Sequence, residues 1–280
     1  MAQTVARPHA PWALRLLPPF PAIAQRILAL ASQENVHLRD LGELIKLDPT
    51  FSAELLRVAN SALFGARREV ATLTHAILLL GLDRVKAMAT YVALHTMVRS
   101  SLKAPALRKV WLHSLATAWI AEEAARANGV AEESAYTTGL LHNLGTLGLM
   151  SAYPEEYARL LEVTCEYGFD LLETERDLFE IDHCAAGAYL AREWHFPEEL
   201  AAAIAAHHDE PEPGAATLAA IVRVSWRLSD ALGYAAFAPA RQWSHGELVA
   251  FLPHGRETWF GESPEAARAH IDKLLASAPL

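Results

Sequence analysis

The sequence predicts an all-α protein, and three observations carry that reading. From Pro21 onward nearly every segment places its apolar residues at helical spacing. No alternating run of apolar and polar residues bounded by turn residues argues for a strand. Glycine and proline fall between the periodic segments, at Gly129, Pro154, Gly168, Pro197 and Pro211 to Gly214, where helices stop and start. The chain has 280 residues, 52% hydrophobic and 20% charged, enough for a large core. That composition excludes a disordered polyelectrolyte and a disulfide-stapled mini-protein.

In chain order, residues 1–15 read as a tail, and Leu17-Pro18-Pro19-Phe20-Pro21 as a stiff lead-in, because each proline biases its predecessor away from the α region. The first helix carries Ile23, Ile27, Leu30 and Ala31 on one face, and the second carries Leu38, Leu41, Leu44 and Ile45. Asp48-Pro49 suits the N-cap and first turn of a third helix with Phe51, Leu55, Val58 and Ala59 inward. A loop from Asn60-Ser61 to Gly65 follows. Thr74–Leu80 and Asp83–Val98 are helices joined by a tight turn at Gly81. This hairpin invites a helix-turn-helix reading, but its second helix offers few residues for base edges, and glycine-joined helix pairs are common packing units. A boundary near Lys103-Ala104-Pro105 precedes helices at about 107–128, 132–151, 154–167, 170–180, 183–194, 198–208 and 215–233. The stretch 234–280 is less patterned, with a last helix from Ser263-Pro264 through Leu275.

Lys and Arg number 24 against 33 Asp and Glu, a net charge of −9, so a nucleic-acid surface would have to be local. The basic cluster Arg99, Lys103, Arg108 and Lys109 falls at the boundary and reads as a solvated connection. Nucleic acid is therefore not an expected partner. Cys165 and Cys184 make no disulfide framework and read as core residues of a protein in a reducing compartment. The longest apolar run, Ala76–Leu82, is far below the roughly 18 residues of a membrane span, and Pro8, His9 and Pro11 interrupt any signal peptide. The expected location is the cytoplasm, with no membrane span.

The polar residues that helix amphipathicity leaves unexplained are histidines. His113 shares its face with Ala116, Thr117 and Ile120, which suits a core histidine. His142 has Thr138, Gly139, Gly145 and Thr146 as its helical neighbours, which points to close packing or a ligand. His183 follows Asp182, an apt N-cap, and His207-His208 close a helix where cationic side chains suit the last carbonyls. Asp230 stands three residues after Arg227, as in a surface ion pair. Each residue has a structural explanation alone. Together, neutral imidazoles and a carboxylate from several helices are the ingredients of a metal centre.

The order His113, His142-Asn143, His183, His207-His208, Asp230 resembles the HD superfamily of metal-dependent phosphohydrolases. The stretches Leu17–Pro21, Leu47-Asp48-Pro49, Leu55–Ser61 and Ala76–Leu82 extend the resemblance to the HDOD subgroup, the HD-related output domain. The resemblance implies a two-lobed helical bundle over 16–233, with an N-terminal lobe at 16–103, an HD-like lobe at 104–233 and a C-terminal helical extension at 234–280. It also implies a bacterial signalling module that is usually non-catalytic.

The chain departs from the enzyme pattern at the defining doublet, where Asn143 replaces the aspartate. The exchange keeps the shape and removes the charge that would bridge two cations, and uncompensated buried charge is costly. Lys109 stands where related phosphodiesterases carry a glutamate four residues before the first histidine, Thr146 where many HD enzymes place a lysine, and no Gly-Tyr-Pro follows His208. The reading is a vestigial or single-ion site at His113, His142, His183, His207, His208 and Asp230, for one divalent iron, manganese, zinc or magnesium ion. The leading function is regulation through a signalling partner or ligand, with Asn60, Ser61, Leu63 and Phe64 as the candidate partner groove. The rival is a metal-dependent phosphodiesterase or phosphohydrolase acting on nucleotides or cyclic dinucleotides.

Overall fold

The computed structural model describes residues 12–16, 21–31, 36–60, 70, 72–98, 104–237 and 241–277. The fold is all-α, with no strand among the described residues. The chain divides into two compact units. One comprises residues 19–99 and 270–280, the other 1–18 and 100–269. No described helix is long and apolar enough to cross a membrane.

The first of these units is built from α1 (Ala22–Ala31), α2 (Leu38–Lys46), α3 (Pro49–Ala59) and α4 (Leu73–Val98), the last packing against the other three. Ile27, Leu41, Ile45 and Leu55 are buried, as their spacing requires. Asp48 caps α3 by accepting a hydrogen bond from the Phe51 N–H at 2.9 Å. At Gly81, φ 77° and ψ 171° break α4 where the sequence places a turn, a conformation that L side chains rarely adopt. Asn60 closes α3 by donating to the Leu56 and Val70 carbonyls, while its own oxygen accepts from the Val70 N–H at 2.7 Å. Of the groove suggested by the sequence, Ser61, Leu63 and Phe64 lie outside the described residues.

The larger unit contains α5 (Pro105–Asn128), α6 (Glu132–Leu141), α7 (Leu144–Ala152), α8 (Pro154–Tyr167), α9 (Leu171–Phe179), α10 (His183–Glu193), α11 (Glu198–Ala205), α12 (Leu218–Ser229) and α13 (His245–Phe251). A final helix, α14, runs Pro264–Ser277. Helix α5 packs against α6 and α12, and α7 packs against α10, which in turn meets α11.

Four expectations are corrected here. The single helix expected at 132–151 is two, broken at His142-Asn143. The helix expected at 215–233 starts at Leu218 and passes at Asp230 into a π-helical turn ending at Tyr234, where Gly233 has φ 92°. The expected tail is shorter than 1–15, because Trp12–Leu14 forms a 3-10 turn with Ala13 and Leu14 buried and Trp12 against Tyr153 and Phe179. Finally, α11 ends at Ala205, so His207-His208 occupy the turn after it.

Candidate metal centre

Glycines set how closely the site-bearing helices approach. A Cβ on Gly139 of α6 would stand 2.9 Å from Ala118 Cα in α5, and one on Gly145 of α7 would stand 2.0 Å from the His183 carbonyl oxygen at the start of α10. The small neighbours of His142 therefore serve close packing. With the helices this near, His142 at the end of α6 meets His113 of α5, Nε2 to Nε2 at 3.2 Å.

His183 opens α10 behind its N-cap, where Asp182 accepts from the Ala185 N–H at 2.8 Å. Its Nε2 lies 3.1 Å from His208 Nε2. Helix α12 pins the turn that carries His207 and His208. Trp226 Nε1 donates to the His207 carbonyl at 2.5 Å, and Arg227 donates to the carbonyls of His207, His208 and Asp209. The guanidinium is buried against this turn and bonds carbonyls, which replaces the surface ion pair with Asp230 suggested by the spacing. The Trp226 ring stacks on His208 at 4.8 Å between centroids. The His207 ring lies 5.2 Å from His142 and 5.3 Å from His183, centroid to centroid.

Hydrogen-bond chemistry fixes how these rings face one another. His142 Nδ1 lies 2.6 Å from the Gly139 carbonyl and His207 Nδ1 2.6 Å from the Ile204 carbonyl. A carbonyl only accepts, so each Nδ1 carries the hydrogen and each Nε2 presents a lone pair. His113 Nδ1 faces the Tyr234 carbonyl at 3.1 Å, with the same consequence, and His183 Nδ1 donates to Glu175 Oε2 at 2.7 Å. His207 Nε2 is buried with no hydrogen-bond partner. Two lone pairs facing at 3.2 Å, as in His113 and His142, repel unless a proton or cation lies between them.

Burial withholds the proton. It lowers His113 to about 4 and His208 to about 2, and puts His142 and His207 well below the usual imidazole value, with neighbouring imidazoles adding to the effect in the last three. A cation is the group that fits. Nitrogens of a tetrahedral site with bonds of about 2.0–2.1 Å stand about 3.3 Å apart, close to the His–His spacings here.

Asp230 behaves differently from its sequence expectation. Its carboxyl lies 3.3 Å from His113 Nδ1, the nitrogen that does not face His142, and burial raises it to about 8 against the opposing pull of Arg227. At neutral pH the contact therefore joins a neutral imidazole to a protonated carboxyl. Asn143 is buried at the α6–α7 break and makes no side-chain cap bond.

Two residues of the candidate site escape the sequence reading. Glu175, fully buried in α9, accepts from the His183 backbone N–H at 2.8 Å as well as from its ring, while Tyr157 donates to its other oxygen. Burial works to lower His183, but the Glu175 carboxylate and Cys184 outweigh it and hold the imidazole well above its usual value. Glu175 shares the inward face of α9 with Leu171, Leu172 and Phe179, so an acidic residue on an apolar stripe was the available signal. The second is Cys184, buried as the sequence suggests, which joins His183, His207 and His208 in a group offering one donor atom each within 4.8 Å of one another.

The HDOD domain family matches residues 17–210. A curated relative from Treponema pallidum (strain Nichols), an uncharacterised protein, is 28% identical over 197 residues, 70% of this chain but only 38% of the relative's length. The crystal structure of a candidate phosphohydrolase from Shewanella amazonensis SB2B shares the fold at TM-score 0.72 and 23% identity, covering 94% of this chain and 96% of that one. A candidate signal transduction protein from Marinobacter aquaeolei VT8 aligns at TM-score 0.73 and 25% identity, over 97% of this chain and 61% of that one.

Proposed function

Since the chain belongs to the HDOD domain family, we propose that it is a non-catalytic regulatory module of signal transduction, acting through a protein partner or ligand, whose histidine centre holds one divalent ion. The observation that carries this reading is Asn143, an amide at the doublet position between α6 and α7. An amide oxygen can ligate one ion but brings no charge to bridge two. Two divalent ions would set four positive charges against Asp230, which burial favours in its neutral form, and Glu175, which reaches the site only through His183. The name of the Marinobacter relative supports a signalling context.

A bound divalent ion would supply Lewis acidity and an organising charge. The chain's own part is to present His113, His142, His207 and His208 as neutral donors, and His183 once a cation displaces the proton that Glu175 favours on it, with the Nδ1 hydrogens held by carbonyls and by Glu175 where the contacts define them. The gathering of five imidazoles keeps one second reading in view, a phosphohydrolase for nucleotide or cyclic-dinucleotide substrates.

Affinity purification of the full chain from its native cell tests the regulatory reading, together with a panel of phosphoesters in the presence of manganese, iron or zinc. A recovered signalling partner and silence across the panel are expected. Turnover abolished by His142→Ala would overturn the proposal in favour of the hydrolase.

A further inference from the structure

We infer that Cys184 is a thiolate ligand that completes, with His183, His207 and His208, a closed three-nitrogen, one-sulfur site for a zinc-class cation. This rests on the single-ion reading above and says where the ion sits.

Four donors, one from each residue, lie within 4.8 Å of one another, the number that fills a tetrahedral structural site. Cys184 is a free thiol, buried beside His183 in the first turn of α10. An independent observation points to the same place. His207 is 1% exposed, its Nδ1 is taken by the Ile204 carbonyl, and its Nε2 has no partner. A lone pair buried in this way costs free energy unless something accepts it. His183 and His208, whose ring centroids lie 5.3 and 4.5 Å from that of His207, stand Nε2 to Nε2 at 3.1 Å.

Charge selects this half of the histidine cluster over the half formed by His113, His142 and Asp230. Position 143 offers no carboxylate, and Asp230 lies at the edge of the His113 ring away from His142. A Cys184 thiolate contributes one negative charge directly, and Glu175 contributes a second through His183. Together they match one divalent ion. Binding would release to solvent the thiol proton and the Nε2 proton of His183, whose Nδ1 hydrogen stays with Glu175. A sulfur donor favours zinc or cobalt over magnesium, and four protein ligands leave no open position for a substrate, which agrees with a non-catalytic module.

Cobalt(II) reports the ligand set without any assay of activity. The full chain, stripped with a chelator and dialysed, is titrated with cobalt(II) alongside Cys184→Ser and Cys184→Ala, with near-ultraviolet circular dichroism confirming that each is folded. Expected are one ion per chain, visible bands of tetrahedral intensity and a thiolate-to-cobalt charge-transfer band in the near ultraviolet. Both variants should lose that last band and bind about tenfold more weakly or worse. If one cobalt binds with equal affinity to all three proteins and no thiolate band appears, Cys184 is not a ligand while the single-ion reading stands. If the folded wild-type chain takes up no cobalt, the single-ion reading fails and this inference with it.

Discussion

Glu175 touches the proposed metal centre only through His183. Its Oε2 holds both the backbone N–H and the ring N–H of His183, and its Oε1 is held by Tyr157, whose own ionisation burial pushes well above the usual tyrosine value. A fully buried carboxylate is tolerated because these three donors satisfy it. The arrangement fixes the His183 tautomer and makes its Nε2 a better donor. Glu175→Gln keeps the shape and one acceptor for His183 while removing the charge. Its affinity for a divalent cation, measured by competition with a chelator, is expected to fall about 10–100-fold, with the far-ultraviolet circular dichroism unchanged. Unaltered affinity would remove Glu175 from the metal centre. The same residue shows a limit of sequence reading, since an acidic residue in a helix is ordinarily solvated, and only its place among Leu171, Leu172 and Phe179 marks it as inward.

Among the helices, the critical contact is the crossing of α7 and α10. Gly145 faces the His183 carbonyl and the Gly187 N–H so closely that a Cβ would stand 2.0 and 2.7 Å from them, and both obstacles are backbone. Gly145→Ala must therefore part the two helices and shift His183. We expect a loss of about 2–3 kcal/mol or more in urea unfolding, together with weaker cation binding. Gly246→Ala in α13, where no atom lies within 4 Å of the added Cβ, should stay within about 0.5 kcal/mol of the parent. Equal stability of the two variants would refute the role given to Gly145. Most helices and their order were legible because apolar spacing and glycine or proline punctuation act locally, as at Gly129 and Gly168, both left-handed C-caps, whereas α13 was not. The break at His142-Asn143 was not legible, because Leu140, Leu141 and Leu144 continue an apolar run with no breaker between them. The candidate histidines could be named from their order along the chain. The reversal of Asp230 onto His113 Nδ1 depends on the π-helical turn after α12, which no local pattern announces.

Taken as a whole, the metal-free molecule carries a pH dependence that follows from burying so many imidazoles. Burial lowers His113 to about 4 and His208 to about 2, and His142 and His207 well below their unfolded value of 6.5. Between pH 6.5 and about 4 the unfolded chain therefore binds protons at four histidines that the native state largely refuses. Asp230 works in the opposite sense with a single proton, because its native value of about 8 exceeds the unfolded 3.8. His183, raised in the native state, is protonated in both states over most of this window and contributes little. Four imidazoles outweigh one carboxyl, so stability should rise steeply with pH from about 4 to 6.5. Above 6.5 the four histidines no longer differ between the states. Asp230 and His183 then hold protons that the unfolded chain has released, and stability should decline gently toward pH 8 and beyond. Urea midpoints in the presence of a chelator should thus peak near pH 6.5. His207→Gln, which removes one suppressed imidazole, should make the acid limb shallower, whereas a midpoint independent of pH between 4 and 6.5 would mean that the native cluster takes up protons as readily as the unfolded chain.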